Sequence, residues 1–191
     1  EMVKVYVIND GSWDSYYSII KNYSDVLNIT EIITENSGPG AARQKGIEVS
    51  NSEYIVFIDA DDQLADEYSL SNLFDRMEGA DLAQGNYLIR NKDSENISGS
   101  QYCYLHGKMY RRSIIQNNNI FFDTTRRYNG DIFEDSTFNQ LYSLYCNNIS
   151  YTDNVVYIYD FNANSITRRP YEESNHLRNY LDAANWLMRQ I

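Results

Sequence analysis

The sequence predicts an α/β fold in which a mostly parallel central sheet is flanked by helices. Short runs of apolar and β-branched residues, at positions 3–8 and 29–34, alternate with segments whose apolar residues recur at helical spacing. A third run, at positions 54–58, is apolar throughout, which is typical of a strand buried on both faces. Strands that alternate with helices in this way form parallel sheets, whose ligands bind beyond the carboxyl ends of the strands.

The elements up to this third run follow one another closely. The strand at 3–8 runs into a polar loop, and apolar residues with helical spacing follow at 16–23. The strand at 29–34 ends in a loop that contains Gly and Pro. Pro39 suits the first turn of a helix, because an N–H at that position has no partner inside the helix. We therefore expect a second helix between this loop and the strand at 54–58.

The rest of the chain continues the alternation. The segments predicted there are a helix at 70–77, an extended segment at 80–89, a polar loop at 91–101, helices at 108–116 and 134–146, and a strand at 149–159. In the tail, Leu177, Leu181, Ala184 and Met188 fall on one stripe of a helix. We expect an amphipathic C-terminal helix that packs against the sheet or against a partner subunit.

Composition narrows the classes of function. The 191 residues carry 16 Lys and Arg against 27 Asp and Glu, a net charge of −11, and so acidic a surface repels nucleic-acid phosphates. Two cysteines are too few for a disulfide framework and lack the close spacing of a zinc site. No apolar run approaches the roughly 20 residues that span a bilayer. We expect a cytoplasmic protein that does not bind nucleic acid.

Three carboxylates follow the third strand directly, in the sequence Asp59-Ala60-Asp61-Asp62. Carboxylates this close repel one another unless a cation or solvent compensates them, and a divalent metal with oxygen ligands is one such cation. The alternative is a solvated acidic loop. An EF-hand is excluded, because counting from Asp59 puts Leu64 at the glycine position and Leu70 at the glutamate position.

Two further loops carry groups that suit a nucleotide. Asp10-Gly11-Ser12 follows the first strand, where a carboxylate and backbone donors could meet a base or a ribose, although Asn-Asp-Gly is also a common turn. The stretch from Gly38 to Arg43 combines a loop, a helix start and a cation, and helix N-termini favour anions such as a diphosphate. The alternative there is an ordinary helix start with a solvated arginine.

Acidic residues also lie at the predicted start of the helix at 134–146. Asp131, Glu134 and Asp135 fall where the helix dipole favours negative charge, so Asp131 could be simply an N-cap. If Asp135 faces a cleft, it could instead take a proton from an acceptor hydroxyl. His106 and His176 are candidates for a third metal ligand, but single histidines without a spaced partner more often pack or lie on the surface.

The order and spacing of these motifs resemble the family 2 glycosyltransferases of GT-A fold. The matching motifs are Asn9-Asp10-Gly11-Ser12, Asn36-x-Gly38-x-x-x-Ala42-Arg43-x-x-Gly46, the run from Tyr54 to Asp62, Gly107-Lys108-Met109-Tyr110-Arg111-Arg112 and Phe133-Glu134-Asp135-x-x-Phe138. The resemblance covers about residues 1–168, and the joint occurrence is specific although each motif alone is not. It implies a GT-A, Rossmann-like sheet flanked by helices.

The resemblance also implies a role for each matching residue. It implies that the nucleotide sugar is bound by Asp10, Gly11, Ser12, Arg43, Asp59, Asp61 and Lys108. Asp10 would recognise the base, Arg43 would lie near the base or the diphosphate, and Asp59 would lie near the ribose. Asp61 with Asp62 would hold manganese or magnesium against the diphosphate. Asp135 would be the catalytic base, with Glu134 beside the acceptor.

The implied activity is the inverting, metal-dependent transfer of a sugar from a nucleotide-diphosphate sugar, most commonly UDP-linked, to an acceptor hydroxyl. The acceptor could be a glycan, a polymer, a lipid-linked sugar or a protein, as in bacterial cell-surface polysaccharide synthesis. A homo-oligomer and a peripheral contact with the inner face of the membrane are compatible with this activity. Residues 1–170 would form the catalytic domain and 171–191 the C-terminal helix.

The sequence departs from the family pattern in two places. Nothing corresponds to the extra strand and helix that normally precede the Asp-Gly-Ser strand, so we expect a catalytic domain that is incomplete at its N-terminus. Many members also have a basic residue shortly before the stretch at 162–166, which this sequence lacks. Phosphate contacts there would be weaker or would come from Arg168 or Arg169.

Two other interpretations are open at this point. Asp59-x-Asp61 after an apolar strand, with Gly130-Asp131-x-x-x-Asp135 downstream, imitates haloacid-dehalogenase-like phosphatases, in which Asp59 would attack phosphorus and Asp61 would act as acid and base. Against it, Asp62-Gln63 replaces the usual following pair, and Asp10 and Arg43 are left unused. The second interpretation is a non-catalytic module that binds nucleotide sugars without turnover.

Overall fold

The computed structural model describes residues 3–13, 15–99, 103–124, 133–163 and 173–191. Asp131, Arg168 and Arg169 lie outside the described residues, as do the side chains of His176 and Leu177. The chain divides into two compact units, one formed by the described residues up to Ser52 with 122–124 and the other by the remaining described residues. Within these ranges, no helix combines the length and the apolar composition needed to cross a bilayer.

The first unit contains the four elements that the sequence predicts there. Strands β1 (Lys4–Asn9) and β2 (Asn28–Ile33) pair in parallel along their whole length. Helix α1 (Tyr17–Tyr23) connects them, and helix α2 (Pro39–Val49) follows β2. α2 begins directly after Gly38, whose φ of 92° is a conformation that favours glycine. The loops after β1 and β2 carry the predicted nucleotide-binding motifs of this unit.

The second unit holds the remaining strands and helices of the described chain. These are β3 (Tyr54–Ile55), β4 (Gln63–Leu64), α3 (Ser69–Phe74), β5 (Leu82–Arg90), β6 (Glu95–Ser98), β7 (Lys108–Arg111), α4 (Arg112–Asn117), α5 (Glu134–Tyr145), β8 (Ile149–Tyr159) and α6 (Glu173–Met188). The predicted helices at 70–77 and 134–146, the strands at 80–89 and 149–159 and the C-terminal helix are confirmed.

The sheet of the second unit is mixed rather than mostly parallel. Its strands lie in the order β3-β7-β5-β8-β4, and β6 also pairs with β5. β5 and β8 are parallel, whereas the four other pairs of described strands are antiparallel. Parallel pairing needs a crossover of about a dozen residues or more, which α4 and α5 supply before β8, whereas β6 returns directly after β5.

The pairing of β5 with β8 is irregular at its centre. Gln84 lies beside Tyr151, Asn86 beside Val155 and Tyr87 beside Tyr157, so the register shifts twice within a few residues. β8 therefore contains three more residues than β5 between the first and the last of these pairs. Beyond the shift the two strands continue in regular parallel pairing up to Tyr159.

Three predicted segments are wrong in part, each because tertiary pairing overrides the local pattern. The first four residues of the predicted helix at 108–116 form β7, whose Lys108, Met109 and Tyr110 are buried where they pair with β5, and α4 begins only at Arg112. The predicted polar loop at 91–101 contains β6, which pairs with the end of β5 as a hairpin. The strand predicted at 54–58 pairs only over its first two residues.

Gly85 on β5 packs against Val156 of β8 in the buried core. A Cβ built on Gly85 would lie 2.7 Å and 3.0 Å from the two methyl carbons of Val156, which is completely buried. We expect Gly85→Ala to lower the free energy of unfolding by about 1–3 kcal/mol, because a β-branched core side chain has little freedom to yield. Urea denaturation measures the change, with Gly99→Ala as the control, since the nearest atom to a Cβ there is 3.8 Å away. Equal midpoints for the two variants would contradict this packing.

The C-terminal helix α6 packs through a face other than the predicted stripe. Among the residues of α6 whose side chains are described, Asn179 and Ala183 are buried, and Tyr180 and Trp186 make edge-to-face contacts with Phe133 and Phe121, respectively. The stripe residues Leu181 and Met188 are instead 51% and 71% exposed, and Ala184 is exposed. The face that packs makes its contacts through edge-to-face pairs of aromatic rings, although Tyr180 itself is 55% exposed.

Candidate active site

The acidic loop at 59–62 connects β3 to β4 in the second unit. The amide of Asp62 donates to the carbonyl of Asp59 (3.0 Å), which closes a turn, and β4 then pairs with the end of β8. Asp61 is exposed and Asp59 is half-buried, whereas the side chain of Asp62 is only 1% exposed. The two carboxylates that the sequence pairs as metal ligands, Asp61 and Asp62, therefore lie in different surroundings.

The carboxylate of Asp62 is bound on both sides by the end of β8. Its Oδ2 accepts a hydrogen bond from the hydroxyl of Tyr157 (2.6 Å), and its Oδ1 accepts one from the amide of Asp160 (2.9 Å). Burial raises the pKa of Asp62 to about 6, the two hydrogen bonds oppose this rise, and the charges of Asp59 and Asp61 add to it. Ionising Asp62 at this buried position therefore costs free energy, which its two hydrogen bonds offset in part.

His106 lies beside Asp62, inside a group of tyrosines. Its Nε2 is 3.8 Å from Oδ2 of Asp62, and its ring stacks on Tyr157 and Tyr159, with centroids 4.8 Å and 5.0 Å away. Tyr104 stacks on the same ring at 5.5 Å. The sequence gives no spacing signal for this contact, because His106 and the acidic loop belong to separate segments that only the sheet brings together.

Among the described residues, Asp59, Asp62 and His106 form the one group of three whose ligand atoms lie close enough to share a metal, within 4.8 Å of one another. Carboxylate donors suit Mg²⁺ and Mn²⁺, whereas imidazole is more typical of Zn²⁺ and other transition metals. Nevertheless, the side chain of Asp62 is 1% exposed and both of its oxygens accept hydrogen bonds, whereas a metal that bridges to substrate phosphates needs a ligand within reach of solvent.

Asp61 meets that requirement. Its side chain is exposed, and its Oδ2 accepts a hydrogen bond from Nδ2 of Asn162 (2.8 Å). Mg²⁺ in phosphate-transfer sites is commonly held by one or two carboxylates together with the phosphates of the substrate. The oxygen donors of the acidic loop therefore fit Mn²⁺ or Mg²⁺, and Asp61 is an exposed carboxylate of this loop.

Glu134 and Asp135 occupy the first turn of α5. Glu134 is buried at 6% exposure, whereas Asp135 is half-buried and its Oδ1 accepts the amide of Ser136 (2.7 Å). The carbonyl of Asp135 accepts a hydrogen bond from Nδ2 of Asn139 (2.9 Å), which completes the first turn. Asp135 is thus oriented by its own helix and remains accessible, as a general base must be.

Lys108 has a buried position in the second unit. It is 1% exposed, and its Nζ donates to the carbonyl of Tyr104 and to Oδ1 of Asn139 (3.4 Å). Burial lowers the pKa of Lys108 to about 8, and the neighbouring Cys103 and Asp135 oppose this shift. The ammonium therefore links the segment before β7 to the middle of α5, and contact with a nucleotide sugar stays a prediction.

In the first unit, Asp10 binds the loop that leads into α2. Its Oδ1 accepts the amide of Ser37 (2.8 Å) and its Oδ2 accepts the amide of Gly38 (2.7 Å). Hydrogen bonds from backbone amides to a carboxylate are among the stronger ones in proteins. The end of β1 and the start of α2 are thereby joined through a single side chain.

The other predicted residues of the first unit lie in the same two segments. Gly11 has a φ of 77°, and Ser12 follows it with its amide bonded to Oδ1 of Asn9 (2.7 Å). Arg43 lies on α2, with its guanidinium 6.0 Å from the ring of Phe122. The structure thus assigns Asp10, Gly11, Ser12 and Arg43 to the first unit, and Asp59, Asp61, Asp62, Lys108, Glu134 and Asp135 to the second.

Comparison with known families bears directly on these motifs. A family model described as "Glycosyl transferase family 2" matches residues 1–145. The chain belongs to this family. The match covers every predicted site residue of the chain, from Asp10 to Asp135. It confirms the resemblance and gives no support to the phosphatase interpretation.

The individual relatives of this family 2 chain are distant in sequence. EpsH of Bacillus subtilis (strain 168) is 27% identical over 190 residues, which cover 87% of this chain and 55% of EpsH. The poly(ribitol-phosphate) β-N-acetylglucosaminyltransferase TarS of Staphylococcus aureus (strain Mu50) is 24% identical over 173 residues, covering 82% of this chain and 30% of TarS. The chain thus spans about half the length of EpsH, and less of TarS.

Comparison with solved structures identifies the fold of the chain. The crystal structure of S. aureus TarS 1–349 in complex with UDP-GlcNAc superposes with a TM-score of 0.75 at 19% identity, covering 98% of this chain and 57% of TarS 1–349. The mannosyltransferase PcManGT from Pyrobaculum calidifontis, in complex with GDP-Man and Mn²⁺, superposes with a TM-score of 0.63 at 14% identity, covering 98% and 63%. These similarities confirm the predicted α/β fold of GT-A type.

Proposed function

We propose that the chain transfers a sugar from a nucleotide-diphosphate sugar to an acceptor hydroxyl, with inversion at the anomeric carbon. The observation that carries this proposal is that one compact unit of a family 2 chain holds both an exposed Asp61 after β3 and a half-buried Asp135 in the first turn of α5. An accessible carboxylate suits a metal ligand, and an oriented, accessible carboxylate suits a base.

Donor binding is assigned group by group. In the first unit, Asp10, Gly11 and Ser12 would contact the base, and Arg43 with the start of α2 would attract the diphosphate. In the second unit, Asp59 would contact the ribose and Lys108 would support the donor through the segment before β7. Asp61 would hold Mn²⁺ or Mg²⁺, which when bound neutralises the charge of the departing diphosphate.

The chemical step requires one base. Asp135 would accept the proton of the acceptor hydroxyl, while the oxygen attacks the anomeric carbon from the face opposite the diphosphate. The bond between the sugar and the diphosphate breaks as the new glycosidic bond forms, so the configuration inverts without a covalent enzyme intermediate. Glu134, buried beside Asp135, would border the acceptor.

The relatives support a choice of substrates. S. aureus TarS has been crystallised with UDP-GlcNAc and with UDP. The TarS of strain Mu50 is described as a poly(ribitol-phosphate) β-N-acetylglucosaminyltransferase. We propose a UDP-linked donor and a hydroxyl-rich bacterial surface polymer as the acceptor class, ahead of lipid-linked sugars and proteins. A cytoplasmic location, with peripheral membrane contact, is part of the same proposal.

A donor screen tests the proposed function. Purified chain would be incubated with UDP-, GDP- and dTDP-linked sugars, with and without Mn²⁺, and the released nucleoside diphosphate measured. We expect release from a UDP-sugar that depends on Mn²⁺ and rises with a polyol-phosphate or polysaccharide acceptor. Binding of UDP-sugars without release, at any metal concentration and with any acceptor, would instead identify a non-catalytic binding module.

A further inference from the structure

The hydroxyl of Tyr157 contacts both ends of the acidic loop. It accepts a hydrogen bond from the amide of Asp59 (3.2 Å) and donates one to Oδ2 of Asp62 (2.6 Å). The ring is 1% exposed and stacks on His106, whose Nε2 is 3.8 Å from the same Oδ2. Tyr157 therefore touches Asp59, Asp62 and His106 at once, although no sequence motif singles it out.

The strand that carries Tyr157 holds the loop from its other side as well. The amide of Asp160 donates to Oδ1 of Asp62 (2.9 Å), and β4, which leaves the loop, pairs with β8 so that Leu64 lies beside Tyr157. The amide of Ala65 donates to the carbonyl of Val156 (3.3 Å). The conformation of the loop is thus specified by β8 through one buried side chain and several backbone contacts.

Burying an ionised carboxylate is costly unless hydrogen bonds compensate it. Asp62 is paired on both oxygens by β8, which is the arrangement of a structural anchor and leaves it out of reach of a metal on a substrate. Asp61 is the residue just before it in the chain, and its side chain is exposed. Because the side chain of Asp62 is held in a buried position, the carboxylate of the adjacent Asp61 is held on the solvent side of the loop.

We propose that Tyr157 is a positioning residue that, through Asp62, holds the loop at 59–62 in the conformation in which Asp61 can bind a donor-bound metal. This inference rests on the proposed function for the role of Asp61. Supporting residues that orient a ligand are worth about 10- to 100-fold in metal affinity, because they reduce the freedom that the ligand loses on binding.

Tyr157→Phe tests the inference, because it removes one hydroxyl and keeps the ring on His106. With Mn²⁺ titrated in the presence of UDP and followed by the EPR signal of the free ion, we expect the affinity to fall about tenfold or more. Hydrogen exchange of the amides at 59–62, measured by mass spectrometry without metal or nucleotide, should quicken about fivefold or more, as the loss of one hydrogen bond implies.

Tyr142→Phe is the matched control. Its hydroxyl is also buried, accepts the amide of Arg111 (3.0 Å) and donates to the carbonyl of Asp81 (2.6 Å), all in the same unit. We expect it to lower the melting temperature without changing Mn²⁺ affinity or exchange at 59–62. Equal losses of Mn²⁺ affinity in both variants would overturn the inference, since both would then reflect general destabilisation.

The two readouts separate this inference from the proposed function. Unchanged hydrogen exchange of the amides at 59–62 in Tyr157→Phe would show that Tyr157 does not hold the loop in place, whatever the activity of the protein. Faster exchange together with unchanged Mn²⁺ affinity would overturn the role of Tyr157 in positioning Asp61. A wild-type protein that binds Mn²⁺ in the way expected but releases no nucleoside diphosphate would contradict the proposed function and leave the inference intact.

Discussion

Asp135→Asn is expected to lower kcat for sugar transfer by about 10²- to 10⁴-fold, the range that a general base contributes. The amide keeps the size of the side chain, and its oxygen can still accept the hydrogen bond from the amide of Ser136 that orients Asp135 (2.7 Å). An amide cannot, however, take a proton from the acceptor. The Kd of the donor should stay unchanged, because the base acts on the acceptor. Initial rates of nucleoside diphosphate release and calorimetric donor binding measure the two quantities.

Asp75→Asn is the control for the loss of a carboxylate. Asp75 is exposed at the C-terminal end of α3, outside the predicted site, and its variant should transfer sugar at the wild-type rate. If Asp135→Asn retained the wild-type kcat, Asp135 would not be the base. If wild type and Asp135→Asn were equally inert while both bound the donor, the chain would be a binding module.

Asp61→Ala is expected to weaken Mn²⁺ binding in the presence of UDP by more than the about 10- to 100-fold that a supporting residue contributes, because it removes the accessible ligand itself. Its fold should be preserved, since Asp61 is exposed and the hydrogen bond of its side chain to Asn162 lies at the surface. Calorimetric titration of UDP with and without Mn²⁺ measures the effect. The metal-dependent part of the affinity should disappear.

His106→Ala discriminates between the two candidate metal sites. If Asp61 is the ligand, loss of the imidazole should weaken Mn²⁺ binding less than Asp61→Ala does, because the carboxylate that His106 approaches is the buried Asp62. If His106→Ala abolished Mn²⁺ binding and Asp61→Ala left it unchanged, the metal would belong to the group of Asp59, Asp62 and His106. Melting curves for both variants establish that each one is folded.

Local patterns predicted much of the fold because several elements obey local rules. The run before Asp10 is β-branched and ends in turn residues, and Pro39 marks the start of α2 by its fixed φ. α5 begins at Glu134 as its two acids at the dipole-favoured end suggest. In each of these cases the signal lies within a few residues of the element itself.

The structure differs from the sequence-based predictions where residues distant in the chain determine the local conformation. Lys108 and Tyr110 have helical spacing with the residues of α4, yet pairing with β5 makes their segment a strand. Likewise, Asp62 resembles Asp61 in the sequence, and only the structure shows that the hydroxyl of Tyr157, 95 residues away, and the amide of Asp160 bind the carboxylate of Asp62. The site residues could be predicted because they lie in motifs that are recognised by their order and spacing. Their burial and their hydrogen-bond partners depend on how the sheet brings distant segments together.

Because of the double register shift between β5 and β8, the number of residues in this part of β8 determines which side chain faces the acidic loop. Side chains of a strand alternate between the two faces of the sheet. Adding or removing an odd number of residues therefore moves every later side chain of the strand to the opposite face. The three additional residues of β8 between Tyr151 and Tyr157 therefore decide that the phenol, rather than Val156 or Ile158, reaches the acidic loop. We expect a single-residue deletion in this stretch to leave every motif of the sequence intact, yet to present an aliphatic side chain to Asp62 in place of the phenol.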